Sequence, residues 1–399
     1  MRSLIVSTRL SRDESNPWLY DGMLQELRRR GHEVMVLLLD LSGTWKQGDH
    51  HYKGVTVIAY PVLGSNKALR FFYLFLGNLY LLKRVLYKKF PKFDFMFCCS
   101  IFSVSTLPLL FLIKTTKIKE KVGFIWDFFP IHHSQVRSVP IFLQPIVPNL
   151  LRWLESYLIK SFDHIGVMSK KNEIFFHEYH PGYKGNIFIG ALWASEYEQA
   201  PVRKTKYTGE CLKIVFGGQI QKGRGINLIV ELARSLHASG IDNIMIDVYG
   251  DGPLTDFLEH KIKCESLQGV LQYKGFLGKA EYLTRLRDYD VGLIVTVPNV
   301  TVPTFPSKVI DYYFAGLPVL ACVESSTDFG EIVQNEAQAG LFCPVDDLAL
   351  LLDKVKSLHD LKKSGSLGSM GLNGHLYYKK NFQIEAAWDD IMSKIGGDR

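Results

Sequence analysis

The chain has only six cysteines, Cys98, Cys99, Cys211, Cys264, Cys322 and Cys343, and none stands in a CxxC pair or another metal-ligand spacing. Most sit in apolar runs, which reads as buried free thiols in a reducing compartment and excludes a disulfide scaffold or a zinc module. Neither GxxxxGK[ST] nor GxGxxG occurs, so there is no Walker loop and no dinucleotide fingerprint. No nucleic-acid-binding motif, internal repeat or low-complexity segment stands out. No uncharged run suits a bilayer span, which needs roughly 20 apolar residues. Phe71 to Leu82 is too short, and residues 95–113 are broken by Ser100, Ser103, Ser105, Thr106 and Pro108. The opening MRSLIVSTRL has the length of a strand and lacks the cleavage site of a signal peptide.

What is present suits a globular protein of two domains. The 399 residues are 47% hydrophobic and 22% charged, too many for a single core and ample for two. The net charge of +7 is uneven: residues 1–195 carry 25 Lys/Arg against 14 Asp/Glu, the remainder 22 against 26. A basic first half predicts an anionic surface as its partner. Residues 67–92, KALRFFYLFLGNLYLLKRVLYKKFPK, mix aromatic and aliphatic residues with flanking Lys and Arg. They read as a basic amphipathic helix lying on an anionic membrane, the bland alternative being a core helix with one solvated face.

The order of elements is α/β throughout. SLIVST is a strand, and PWLYDGMLQELRRRG a helix opening at Pro17 with Asn16 as cap and ending at Gly31. EVMVLLLD, VTVIAYP, FDFMFCC, KVGFIWD and HIGVMS follow as strands, with helices at 67–92, STLPLLFLIK and about 139–160. These strands are apolar without clean alternation, as in a parallel sheet buried on both faces. KIVFGG restarts the pattern in the second half, followed by NIMIDVYGDG, VLQYKGF, VGLIVTV and LPVLACV with helices between. The reading is two doubly wound domains: residues 1–195, and 196–375 with 196–211 as linker. An amphipathic helix spans about 376–395.

In open parallel sheets ligands bind at the carboxyl ends of strands, so the loops there hold the candidates. GGQIQKGRG, Gly217 to Gly225, follows a strand and opens a helix. Its glycines, Gly218 among them, allow close backbone approach, and Lys222 and Arg224 suit a diphosphate. YGDGPL is a second such loop, containing Gly250. TFPSKVIDYYFAGLPVLACV is the third. Pro306 suits the first helical position, with Thr304 or Phe305 as cap, Ser307 and Lys308 presenting amides, and Val309, Ile310, Tyr313 and Phe314 facing the core. Lys308 in a first turn opposes the helix dipole unless an anion sits there. In the first domain, Asp127, His132 and His133 lie near the end of the KVGFIWD strand. No zinc spacing surrounds the two histidines, so no metal is expected.

Taken in order, strand–GG…KGRG–helix, then YGDGP, then a helix leading into AGLPVLA, the chain resembles family-4 glycosyltransferases of the GT-B fold. ELRRRGHEVMVLLLD and GEIVQNEAQAGLFCPVDD are similar to further segments of that family, so the likeness covers nearly the whole chain. The resemblance implies two Rossmann-like domains facing a cleft, with residues 376–399 crossing back to the first domain. It implies a nucleotide-diphospho-sugar donor on the second domain, an acceptor mostly on the first, retention of anomeric configuration, and no cofactor or obligatory metal. The basic amphipathic region looks like that of the subgroup building bacterial O-antigen, capsule and other surface polysaccharides on lipid-linked carriers. That implies a peripheral protein on the cytoplasmic face of the membrane.

Residue by residue, the resemblance assigns the donor to Gly218, Gln219, Lys222, Gly250, Phe276, Leu277, Thr304, Phe305, Pro306, Ser307 and Asp311. Arg224, Lys308, Asp127 and His132 take catalytic places, and Ser15 and Asn16 the acceptor or phosphate loop. The chain departs from the family in the turn after the first strand, where TRLSRDESNP with Ser15 and Asn16 replaces the usual Gly-Gly, and in four further positions. Gln219 stands where Arg is usual, Arg224 where Lys is usual, and Trp126 where His precedes the Asp. The acidic pair spaced E-x7-E falls on Pro303 and Asp311, so the acid expected at the ribose survives and the one expected near the sugar does not. Thr301 or Thr304 is the substitute expected for the sugar hydroxyls. The competing readings are a nucleotide-sugar 2-epimerase of the same fold, a non-catalytic sugar-nucleotide-binding scaffold, and a basic peripheral membrane or nucleic-acid binding protein.

Overall fold

A computed structural model describes residues 1–12, 18–64, 66–87, 90–99, 106–128, 131, 146–194, 207 and 209–396. They form two compact units. One takes the chain up to Ala191 together with the segment from Ala387, and the other runs from Leu192 to Ala386.

The first unit is built on an eight-stranded sheet in the order β3-β4-β2-β1-β5-β6-β7-β8. The strands are β1 Arg2–Ser7, β2 Glu33–Asp40, β3 Gly48–Tyr52, β4 Val55–Pro61, β5 Phe93–Cys99, β6 Ile118–Phe124, β7 His164–Val167 and β8 Asn186–Ile189. All pairings are parallel except the hairpin of β3 with β4. That edge strand, GDHHY, lacks apolar alternation and was not expected. Its two-residue turn, Lys53 and Gly54, has φ of +48° and +75°, a left-handed pair that closes an antiparallel hairpin. Buried Leu4, Ile5, Val36, Leu38, Met96, Phe97 and Val122 fill the centre of the sheet.

The helix Lys67–Tyr87 packs on β2 and β4 through Gly77, where a Cβ would fall 2.5 Å from Leu39 Cδ1. Leu81 and Val85 continue that inner face. The opposite face shows Leu69, Phe72, Phe75, Leu79 and Leu86 to solvent. The first helix begins at Leu19 rather than at Pro17, with Trp18 as its cap residue. The Asp21 carboxylate accepts the Trp18 and Ser11 amides at 2.8 and 3.1 Å, which fixes the helix start two residues later than the proline suggested.

The expected helix at 376–395 is two. Leu367–Tyr377 ends in a wider turn over Tyr378–Phe382, and Ile384–Lys394 follows. The last helix closes on the first unit. Trp388 is 1% exposed and meets the Phe95 ring edge-on at 5.6 Å. Asp389 pairs with Arg30 at 2.7 Å, and Lys394 donates to the Ile189 carbonyl at 2.6 Å.

The second unit carries a fully parallel six-stranded sheet, β11-β10-β9-β12-β13-β14. Its strands are β9 Leu212–Gly217, β10 Ile244–Tyr249, β11 Leu271–Tyr273, β12 Val291–Val295, β13 Val319–Val323 and β14 Gly340–Pro344. The chain runs outward from β9 to β11, then returns to the other side of β9 with β12. The direction of winding therefore reverses between β9 and β12, the place in such sheets where ligands bind. Among the described residues, no helix of either unit is long and apolar enough to cross a membrane.

Candidate active site

At the switch point β9 and β12 pair only at Ile214–Val291 and Val215–Gly292, and then diverge. Tyr312 fills the fork. Its hydroxyl accepts from the Gly217 amide at 3.2 Å and stands 3.3 Å from the Val215 and Leu293 carbonyls. A Cβ on Gly292 would fall 2.3 Å from the Tyr312 ring, so the strand needs glycine there. Tyr312 is wholly buried and Phe314 only half-buried, which corrects the expected inner face of this helix. The misreading comes from the seven-residue length of Lys308–Phe314, too short for periodicity to fix a face.

The helix opens at Lys308 with Ser307 as cap residue, later than Pro306 suggested. The Pro306 carbonyl accepts from Val309 N–H at 3.3 Å. Thr304 does not cap it. Its hydroxyl donates to Glu324 Oε1 at 2.6 Å, and its carbonyl accepts from the Thr327 hydroxyl at 2.6 Å. Phe305 packs edge-on against Phe329 at 5.2 Å.

Lys308 is half-buried, with Nζ 3.8 Å from the centroid of the Phe216 ring. Its stem passes so near Gly218 that a Cβ there would lie 2.5 Å from Lys308 Cε. Among the described residues no hydrogen bond or ion pair holds this amine. Burial, with the Arg224 guanidinium nearby, pushes its pKa down to about 7, and Asp311 only partly offsets this. The two cations named from sequence are therefore brought together at the switch point.

The Gly217–Gly225 loop is held by its neighbour. Gly218 N–H donates to the Tyr249 carbonyl and Ile220 N–H to Asp251, both at 3.0 Å. Gly250, at φ +140°, abuts Gly218, where a Cβ would lie 1.8 Å from the Gly218 carbonyl oxygen. Gly225, at φ +67°, starts the thirteen-residue helix Ile226–Ala238 against Val295. No side chain caps that helix, so its first amides have no side-chain acceptor from the cap residue. Lys222, Arg224 and Gln219 are exposed on the same loop, with Gln219 accepting from Gln221 at 2.7 Å. Phe276 is 68% exposed and Leu277 half-buried in the loop after β11.

Asp311 has a partner the sequence did not suggest: Lys279 Nζ lies 2.5 Å from its Oδ2. Lys279 begins the helix Lys279–Arg285 directly after Gly278. A lysine at a helix start, the signal that points to Lys308, points to Lys279 as well. Glu324 was also missed. It is 3% exposed at the carboxyl end of β13, and its Oε2 has no hydrogen-bond partner. In the first unit Asp127 is exposed just beyond β6, beside half-buried Trp126. Ser15, Asn16, His132 and His133 lie outside the described residues. Among the described residues no three His, Cys, Asp or Glu side chains gather as a metal site.

No protein-family profile and no curated protein sequence matches the chain. Solved structures do. Sucrose-phosphate synthase from Thermosynechococcus elongatus superposes with TM-score 0.70 at 12% identity, over 98% of this chain and 97% of that one. WaaG, a glycosyltransferase involved in lipopolysaccharide biosynthesis, gives 0.67 at 13% identity over 100% of both chains. The E. coli trehalose-6-phosphate structure bound with UDP-2-fluoro glucose gives 0.68 at 13% over 100% of both. The likeness spans the whole chain and shows that it has the GT-B fold.

Proposed function

We propose that the chain is a retaining, family-4-like glycosyltransferase. It moves a sugar from a nucleotide-diphospho-sugar to a lipid-linked or growing polysaccharide acceptor in bacterial surface-polysaccharide synthesis. The observation that carries this reading is the unpaired, half-buried Lys308 amine beside Arg224 at the switch point. Two cations, a glycine loop and free helix amides form a site for a group that leaves with extra negative charge. Electrostatic stabilisation of such a leaving group is usually the largest catalytic contribution. Two neighbours in fold, one bound with UDP-2-fluoro glucose and one described as a glycosyltransferase, point the same way.

In this mechanism the acceptor hydroxyl attacks the anomeric carbon on the face the diphosphate leaves. The bond from that carbon to the phosphate oxygen breaks, and the departing phosphate takes the hydroxyl proton. Arg224 and Lys308 carry the charge, and the reading assigns no metal. Asp311 takes the ribose and the Gly218–Lys222 and Thr304–Ser307 stretches line the donor. Asp127 and His132 orient the sugar or acceptor, with Ser15 and Asn16 on the acceptor side.

Peripheral contact with an anionic membrane belongs to the same reading. Its support is the row Leu69, Phe72, Phe75, Leu79 and Leu86 on the outer face of one helix, with exposed Lys83 beside it. Such a face gains by burial at the lipid interface, and the basic first half favours anionic headgroups. Arg84 contributes less than its sequence position suggested, because it is paired with Asp49.

Titration calorimetry with UDP, GDP, ADP and dTDP tests the donor site. One of them should bind, and Lys308→Ala and Arg224→Ala should each weaken it about tenfold or more. Unchanged affinity in both variants would refute the site.

A further inference from the structure

We propose that Glu324 positions the donor sugar through Thr304, in place of the carboxylate missing at Pro303; this rests on the donor site proposed above. Thr304 lies in the loop between β12 and Lys308, twenty residues before Glu324 in the chain. The loop after β13 holds it at two points: its hydroxyl donates to Glu324 Oε1, and its carbonyl accepts from Thr327, each at 2.6 Å. Glu324 is itself fixed, its amide donating to the Thr296 hydroxyl at the end of β12 at 3.1 Å.

Two features separate this arrangement from a plain staple between loops. First, the Thr304 hydroxyl donates its single proton to Glu324 Oε1. The Thr304 oxygen then presents only lone pairs, and the residue is half-exposed. Sugar hydroxyls are the donors that such an acceptor would select. Second, a staple needs one carboxylate oxygen. The other, Oε2, is buried with no hydrogen-bond partner, although Glu324 is only 3% exposed. Buried polar atoms are nearly always satisfied, and an exception of this kind marks a functional demand or a missing partner. Glu324 also directly follows β13 at the ligand-binding edge of the sheet, two strands from β9, and Thr304 stands four residues from Lys308. A sugar attached to phosphates at Lys308 would fall within reach of Thr304.

The test compares a nucleotide-sugar with its own nucleoside diphosphate, in the full chain, using whichever of UDP, GDP, ADP or dTDP binds. Glu324→Gln should reduce kcat/KM for the nucleotide-sugar about tenfold to a hundredfold, the range for weakening one hydrogen bond. It should leave the Kd of the nucleoside diphosphate within about twofold. Thr304→Val should lower kcat/KM for the nucleotide-sugar to the same extent, and Thr304→Ser should keep it near the wild-type value. Because Glu324 acts through Thr304, Glu324→Gln should add nothing in the Thr304→Val background. Equal losses for nucleoside diphosphate and nucleotide-sugar would overturn the inference. So would no loss at all, or a full further loss in the double variant. If the wild-type chain binds none of the nucleoside diphosphates, the donor site itself fails, and this inference with it.

Discussion

Lys279 Nζ stands 2.5 Å from Asp311 Oδ2, joining two short helices that begin twenty-nine residues apart on either side of β12. The pair is mostly shielded, with side chains 26% and 15% exposed. It holds the carboxylate proposed for the ribose in a set orientation. Lys279→Met should therefore destabilise the protein by about 1–2 kcal/mol, more than a surface pair and less than a fully buried one, measured by urea unfolding. Asp311→Asn should weaken nucleoside diphosphate binding about tenfold while leaving competition by inorganic pyrophosphate unchanged.

Lys308 gives a pH signature. Its folded-state pKa is lowered from 10.5 to about 7 by burial and by Arg224. Between those values the unfolded chain binds the proton more tightly than the folded one, so this group's contribution to stability rises with pH from about 7 to 10.5. Below pH 7 both states are protonated and the full cost of burying the charge remains. Lys308→Met should thus raise Tm most at pH 6–7, with the gain shrinking toward pH 10. Binding runs the other way. A bound diphosphate holds Lys308 protonated, so wild-type affinity should fall as pH rises above 7, and the Lys308→Met profile should be flatter.

Gly250 sets the spacing of two site loops. With φ at +140° and no room for a Cβ against the Gly218 carbonyl, Gly250→Ala should cost on the order of 3 kcal/mol in chemical denaturation. Gly278→Ala offers a control, since nothing lies within 4 Å of its would-be Cβ and its φ is −61°. It should change stability by less than about 0.5 kcal/mol.

The exposed face of the Lys67–Tyr87 helix predicts a lipid dependence. Phe72 and Phe75 are 54% and 55% exposed, so replacing them leaves the core intact. Phe72→Asp with Phe75→Asp should reduce binding to anionic vesicles about a hundredfold, from the loss of two exposed aromatic side chains that the lipid interface would bury, without lowering Tm. Sedimentation with phosphatidylglycerol vesicles reads this, and salt should weaken the wild-type signal.

Much of the fold was legible because most strands are short apolar runs closed by Gly, Pro or a charge, with helices between them. The Gly217–Gly225 loop was legible for the same reason, as glycines and cations directly after a buried strand. The rest depends on which elements become neighbours. Lys279 meets Asp311 across thirty-two residues, Thr304 meets Glu324 across twenty, and Tyr312 reaches under β9 from ninety-five residues away. Local pattern carries no record of those distances. Three edge strands, Gly48–Tyr52, Asn186–Ile189 and Gly340–Pro344, are absent from the sequence reading; the first has no apolar alternation, although Lys53-Gly54 marks its turn.

Sugar transfer itself is the most direct test. The purified chain would be incubated with radiolabelled UDP-, GDP-, ADP- and dTDP-sugars and a membrane extract containing lipid-linked acceptors. The account predicts label transferred from one donor into the extract with retained anomeric configuration, and at least a hundredfold less transfer by Lys308→Ala. A donor that binds the wild-type chain tightly at the switch point, yet yields no transfer to any acceptor in the extract, would contradict it and leave a sugar-nucleotide-binding protein.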